Sequence, residues 1–392
     1  MSAALAPVAI AAVSELAPGR FPDQSTHSLY QAAVARLLAE WPIKPGDIQG
    51  LLVAPAGMAD GVSDNIFVHE RLVEELGLDA TFAETINVGG STHAVMAIRA
   101  ALAIRAGLAE GVLCVSAGRF PNVGGGGAQR NTRIFAHPDF DSLYGPYIPP
   151  IYAQVATRHM HEYGIGRDAM AAVAVGQRQW ALRHPQALMA RKGALRANEV
   201  IESRPIASPF HLLDCSVPCD GGGAYLVAGE RLARRLNARP AWLRGFGEIH
   251  RRANISQLRS LDDVGGQAAA RAAYRMADLS PADVRLAQLY DSVSYHPILG
   301  VEHMGLVPAG QGGRFFLDGR GAPGGDLPVN SNGGLLSFGH TGDASGLSVI
   351  AEAALQVMGR AGQRQVQAPV ALVHCYGGMM SEHAVLLLGD AP

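Results

Sequence analysis

The sequence predicts an α/β protein in which helices lie on the faces of β-sheets, and two observations predict it. Short apolar runs alternate with helical patterns of ten or more residues along most of the 392-residue chain, as in layered sheet-and-helix folds. One grammar also occurs twice: a strand, an Asn, a Gly-Gly turn and an alanine-rich helix. It stands in INVGGSTHAVMAIRAALAIRAG (86–107) and again in VNSNGGLLSFGHTGDASGLSVIAEAALQVMG (329–359), which predicts a duplicated half.

Taken in order, AALAPVAIAAV (3–13) has no basic residues before it and runs straight into globular sequence, so 8–13 reads as a strand rather than part of a signal peptide. Strands follow at 50–54 and 111–116. Between them, residues 85–118 read as strand, glycine turn, small-residue helix and strand. Residues 119–219 break the rhythm, opening on RFPNVGGGGAQRNTR and YGPYIPPIYAQ and carrying the helical stretches PIYAQVATRHMHEYG and AAVAVGQRQWALRHP. So long an excursion between strands predicts a lid over a site. Runs at 223–227, 285–289, 370–374 and 384–388 complete the strands.

Composition narrows the function. A net charge of -2 with no long run of like charges gives no footprint for nucleic acid or an anionic membrane surface. Lys occurs only at 44 and 192, which disfavours Schiff-base chemistry, and no stretch reaches the length of a membrane span. Four cysteines (114, 215, 219, 375) make no disulfide framework, so a reducing, cytoplasmic compartment is expected.

Three glycine-rich turns carry the candidate chemistry: NVGGSTH (87–93), NGGLLSFGHTGDASG (332–346) and HCYGGMMSEH (374–383). Each places backbone N–H groups where a helix or turn begins, and there oxyanions are favoured. His340, flanked by glycine and a helix start, has an open approach and a tunable pKa. Cys375 follows a strand and precedes Gly377 and Gly378, so its thiol is a candidate acid or base, with a buried inert Cys as the alternative. Other patterns are set aside. CSVPC (215–219) lacks a second metal-ligand pair, HMHE (159–162) is not HExxH, and GGGG (124–127) follows no strand-to-helix fingerprint. GGSTH fits no G-x-S-x-G elbow, since His93 stands where the last glycine belongs.

In combination with GGDLPVNSNGGLLSFGHTGDASGL, GRAGQRQV, ALVHCYGG, LYDSV, GVEHMGLVPAGQGGRFF and DCSVPCDGGGAYLVA, these turns give the chain its closest resemblance. It resembles the thiolase superfamily, most nearly the sterol-carrier-protein type, from the first strand to AVLLLGD. The resemblance implies a five-layered αβαβα fold of two similar halves, 1–118 with 220–236 and 237–392, with a loop domain at 119–219. It implies a coenzyme A thioester as substrate and no other cofactor, a homodimer formed by pairing of the sheets, and a small OB-fold partner, often with a zinc ribbon. By the same resemblance His340 is the "GH" histidine that binds the thioester oxygen, Cys375 the acid/base at the substrate α-carbon and the Gly377 amide an oxyanion donor. Tyr290 of YDSV takes the position of an Asn or His.

The departure lies at the nucleophile. Counted back without gaps from AGLAEGVLCV, the family's cysteine falls on Gly90, and Ser91 stands one residue on. A one-residue shift turns a side chain by about 100° on a helix, and a serine needs an aligned base. Capping the helix is the expected task of Ser91, and the Gly90 amide is expected to remain an oxyanion donor. Three functions follow: retro-aldol cleavage of a β-hydroxyacyl-CoA without a covalent intermediate, acyl transfer through Ser91 or directly, and acyl-CoA binding without catalysis. Retention of both His340 and Cys375 favours an enzyme.

Overall fold

The structure, a computed structural model, describes residues 6–56, 66–120, 136–142, 148–260 and 264–392. Nine strands form one mixed sheet: β1 (Val8–Glu15), β2 (Gly50–Ala54), β3 (Phe82–Thr85), β4 (Gly111–Gly118), β7 (Gly221–Gly229), β8 (Ala241–His250), β9 (Leu286–Leu289), β10 (Val370–Gly377) and β11 (Glu382–Gly389). The hairpin β5 (Pro205–Ala207) and β6 (Phe210–His211) stands apart. The order across the large sheet is β3-β2-β4-β7-β1-β8-β11-β10-β9.

That order divides into two half-sheets built alike. In the first, β7 runs antiparallel between β1 and β4, and β2 and β3 continue parallel to β4. In the second, β11 runs antiparallel between β8 and β10, and β9 lies parallel to β10. They meet at a short seam where Ala9 pairs with Trp242 and Ile10 with Ala241. Helices Thr92–Arg105 and Ser345–Met358 touch strands of both half-sheets and each other, so they form the middle layer. Their small side chains suit that place: a helix buried nearly all round needs apolar residues on every face, and Gly346 lets one helix approach the Gly90 carbonyl of the other turn. Thr26–Glu40 and Glu230–Leu236 cover the first half-sheet, and Gly266–Ala277 and Tyr295–His303 the second. The five layers expected of the fold are therefore present. Among the described residues no helix is long and apolar enough to cross a membrane.

The seven strands read from the sequence all form, several of them longer at one or both ends. One strand of the sheet, β8, escaped notice, and another is read too late along the chain. β3, four residues at an edge, ends at Thr85, where the sequence reading begins its strand, and β8 carries Gly245 and Gly247, which look like turn residues. A Cβ at either glycine would strike the Ala273 or Ala269 carbonyl, so their absence of side chain lets Gly266–Ala277 lie flush on the strand.

The internal echo is real, but its register differs from the sequence reading. Asn332–Gly334 opens only the short helix Gly334–Ser337. The counterpart of the 3-10 turn Gly89–Ser91 is Gly342–Ala344, which enters Ser345–Met358 as Gly89–Ser91 enters Thr92–Arg105. Gly89 and Gly342 have φ of 63° and 62°, a left-handed conformation that costs glycine little. Within 119–219, described helices Ile148–Tyr163 and Arg167–Ala181 pack on the second half; GGGG (124–127) lies outside the described residues.

Candidate active site

The entries to the two central helices, the end of β10 and the segment after β9 converge. Tyr290 follows β9, held by its N–H to the His374 carbonyl at 2.9 Å. The residue is 7 % exposed. Its hydroxyl lies 3.0 Å from Ser345 Oγ and 3.3 Å from His340 Nε2. His340 Nδ1 accepts from the Gly342 N–H at 3.2 Å, which puts the neutral ring's proton on Nε2, facing Tyr290. The Phe120 ring packs edge-on against His340 at 5.5 Å. Burial pulls the His340 pKa down to about 4, so the ring is neutral at ordinary pH.

Cys375 is completely buried on β10, and desolvation raises its thiol pKa well above the ordinary value. It lies close enough to Tyr290 that a thiolate there would raise the phenol's pKa further. Burial is also the largest cause of the upward shift at Tyr290, opposed by its bond with Ser345. All three groups thus favour their neutral forms. Asp291, whose pKa burial pushes up to about 8, accepts from the Leu335 and Leu336 N–H groups at 2.8 and 3.3 Å, fixing the segment behind Tyr290.

Gly90 explains why the tyrosine sits there. A Cβ on Gly90 would lie 2.6 Å from Tyr290 Cζ and 2.5 Å from the Tyr376 carbonyl oxygen. Real carbon contacts want 3.5–4.0 Å. The space a side chain at 90 would use is filled by the Tyr290 ring.

Residues 247–390 match the thiolase C-terminal domain-like family. The chain is 29 % identical over 394 residues to an acetyl-CoA acetyltransferase of Methanothermobacter thermautotrophicus, covering 96 % of this chain and 98 % of that one. It is 28 % identical to rat (Rattus norvegicus) sterol carrier protein 2, over 78 % of this chain and 58 % of that one. To a steroid side-chain-cleaving aldolase of Thermomonospora curvata it is 27 % identical, over 89 % and 90 %. The solved Ltp2-ChsH2(DUF35) aldolase superposes with a TM-score of 0.84 at 26 % identity, covering 99 % of both chains. The chain belongs to the thiolase superfamily. It is of the sterol-carrier-protein type, and an enzyme of the carbon–carbon lyase or acyltransferase kind.

Within this thiolase-superfamily chain the structure brings Tyr290, His340, Cys375 and Gly90 together. Ser91 is close by in sequence but differently employed. Its hydroxyl donates to the Val88 carbonyl at 2.8 Å and makes no cap bond. Thr92 Oγ1 instead ties the turn, accepting from the Val88 N–H at 2.9 Å and donating to the Gly89 carbonyl at 2.6 Å, so neither hydroxyl caps an N–H of the helix's first turn. The Tyr376 carbonyl oxygen lies beside Gly90, and Gly377 packs against the same turn, its Cα 3.0 Å from where a Cβ on Gly89 would stand.

Sequence reading of this thiolase-type site missed Ser345, Tyr376 and Phe120. Ser345 had a signal: it opens the second echo's helix, once the echo is registered on Gly342. Tyr376 packs edge-on against Tyr290 at 5.1 Å and is itself hydrogen-bonded to His296. An open groove of about 740 Å³ lies elsewhere, between Ile148–Tyr163 and the β5–β6 hairpin. None of the candidate site residues lines it.

Proposed function

We propose that the protein cleaves a β-hydroxyacyl-CoA by a retro-aldol reaction, with no covalent acyl-enzyme. The observation that carries this reading is the Tyr290 ring in the space beside Gly90, with its hydroxyl between His340 and Ser345. A pocket arranged in this way has a proton-handling phenol where a thiol nucleophile would need room.

The reaction needs one net proton transfer, from the β-hydroxyl to the α-carbon. The Cα–Cβ bond breaks, its electron pair becomes the enolate of the acyl thioester, and the β-carbon leaves as a ketone or aldehyde. His340, neutral with its proton on Nε2, donates a hydrogen bond to the enolate oxygen without giving up that proton, an electrostatic role suited to a low-pKa ring. Tyr290, itself protonated, acts as a relay: as the Cα–Cβ bond breaks it takes the β-hydroxyl proton while passing its own to Cys375 Sγ, and Cys375, held protonated by burial, passes its proton to the α-carbon in the same concerted transfer. Both groups end in the neutral forms their surroundings favour. The Gly90 amide, at a helix entry, is assigned a supporting oxyanion bond.

Acyl transfer is the second reading, favoured by full-length similarity to an acetyl-CoA acetyltransferase. Against a route through Ser91 stands the use of its hydroxyl as a donor to Val88; direct transfer is the form left open. A third reading, a binding subunit without catalysis, leaves the Tyr290–His340 contact without a task. The chain boundaries 1–118 with 220–236, 119–219 and 237–392 are assigned as two thiolase halves and a loop domain, in keeping with the strands of each half-sheet. A homodimer is assigned through β3, one of the two terminal strands, whose outer edge pairs with no strand among the described residues. A small OB-fold, zinc-ribbon partner is assigned by analogy with the DUF35 chain named in the solved aldolase.

The test is incubation of the purified protein, alone and with such a partner, with β-hydroxyacyl-CoA thioesters. Release of a shortened acyl-CoA with a ketone or aldehyde is expected. No cleavage, together with an acyl adduct on Ser91 by mass spectrometry, would overturn the proposal in favour of acyl transfer.

A further inference from the structure

Neither loop that carries the candidate site is part of the sheet where it matters. Tyr290 lies just past β9, and His340 lies between the helices Gly334–Ser337 and Ser345–Met358. Something else must set the 3.3 Å between them. The stretch Asp214–Asp220, extended from Cys215 on, by which the chain returns from the 119–219 excursion to β7, is tied to each loop in turn.

On one side it holds the segment after Tyr290. The Ser294 N–H donates to the Asp214 carbonyl at 2.7 Å, and the Ser294 hydroxyl to Asp214 Oδ1 at 2.7 Å. The Ser216 N–H donates to the Ser292 carbonyl at 3.0 Å, and Cys215 bridges Val293. On the other side it holds the histidine loop. The Val217 N–H donates to the Leu335 carbonyl at 3.2 Å, the His340 N–H to the Val217 carbonyl at 2.7 Å, and the Cys219 N–H to the His340 carbonyl at 2.9 Å. Pro218, which has no N–H to give, lies opposite His340, so both backbone bonds of His340 go to its two flanking residues. The far end is anchored by Asp220, whose carboxylate accepts from the Phe21 and Phe120 N–H groups, each at 2.9 Å.

We infer that the Asp214–Asp220 segment sets the separation of Tyr290 and His340, and that Asp214 is the positioning residue on the tyrosine side. Asp214 is completely buried. Its second oxygen accepts from the His211 N–H at 2.9 Å and lies 3.5 Å from Arg167 Nη2, on helix Arg167–Ala181. The carboxylate therefore joins that helix of the excursion to the loop of the candidate tyrosine. Shifts of about 1 Å between reacting groups can cost about a hundredfold in rate, so a strut of this kind acts on turnover rather than on binding.

The inference rests on the retro-aldol reading for its kinetic consequence but not for its geometry, and the test separates the two. Ser294→Ala and Asp214→Asn are compared with Ser294→Thr, which restores the hydroxyl. The expected result is a fall of about tenfold or more in kcat with KM within about twofold, recovered in Ser294→Thr. The His340 ring signal in ¹⁵N-histidine NMR should move in Ser294→Ala and return in Ser294→Thr, whatever the reaction proves to be. A His340 signal unmoved in both Ser294→Ala and Asp214→Asn, when both are folded, would overturn the strut. Movement of that signal without any cleavage activity in the parent protein would uphold the strut and overturn the lyase reading.

Discussion

Replacing Gly90 by alanine adds one methyl group to a crowded point of the candidate site. Gly90 has no left-handed φ, so alanine meets no backbone penalty there, and the whole effect comes from contact. The new carbon would stand 2.6 Å from Tyr290 Cζ, 2.8 Å from Tyr290 Cε2 and 2.5 Å from the Tyr376 carbonyl oxygen. The carbonyl belongs to β10, paired at Tyr376 with His383 of β11, so the tyrosine ring must yield by about 1 Å to reach van der Waals distance. Such a movement takes the hydroxyl out of reach of either Ser345 at 3.0 Å or His340 at 3.3 Å. Overpacking of this kind costs about 1–3 kcal/mol. With an unfolding entropy of about 2.1 cal/mol/K per residue, 392 residues give about 1.2 °C per kcal/mol, hence a Tm lower by about 1–4 °C. Turnover should fall by about a hundredfold, because the phenol is displaced by the distance that matters. The assay is steady-state cleavage of a β-hydroxyacyl-CoA beside calorimetry, with Tyr290→Leu as a second background in which the added methyl has more room. The two substitutions should then couple rather than add. A Gly90→Ala variant with parental kcat and Tm would refute the claim that Tyr290 fills the space beside residue 90.

Three further outcomes are expected. Tyr290→Phe keeps the ring and removes the hydroxyl, so kcat should fall by about 10²–10⁴-fold with the fold intact by circular dichroism. Ser91→Ala removes a bond to Val88 worth about 0.5–1.5 kcal/mol and should leave kcat within a few-fold, whereas complete loss in a folded variant would favour acyl transfer through that residue. The acid limb of kcat/KM should lie near pH 4, since burial lowers His340 from 6.5 to about 4. The sign follows from linkage: between 6.5 and 4 the unfolded chain takes up a proton that the folded ring refuses. The stability held by the neutral ring is therefore full above about 6.5 and lost as pH falls toward 4. A His340 titration midpoint near 6.5 by NMR would contradict the burial argument.

Periodicity made the layered architecture and seven of the nine sheet strands legible, because runs such as Val370–Gly377 are buried on both faces and stay apolar throughout. β8 was hidden because the glycines that let a helix rest on it have the composition of a turn. The resemblance carried by LYDSV, GHTGDASG and ALVHCYGG named Tyr290, His340 and Cys375, which the fold does bring together. It could not show that Tyr290 occupies the space beside Gly90, since that contact joins residues 200 positions apart. Ser345 was obscured by registering the echo on Asn332–Gly334 instead of Gly342. Ser91 does not cap the first helix because its hydroxyl turns back to the Val88 carbonyl, a choice decided by local torsions and not by residue type.

The two helix entries matched at Gly89 and Gly342 have an electrical consequence. Thr92–Arg105 and Ser345–Met358 both begin at Tyr290, so two positive helix ends, each worth about half an elementary charge, face one point from different directions. Their source is the backbone, and backbone dipoles neither titrate nor exchange with counter-ions. An enolate or phenolate held there draws on a field installed at folding, in a site whose own acids and bases all prefer to be uncharged. Negative charge can then be sheltered without a lysine or arginine in contact with it, which accords with a chain that has just two lysines. Chemistry supported in this way should tolerate added salt far better than a pocket lined with exposed cations.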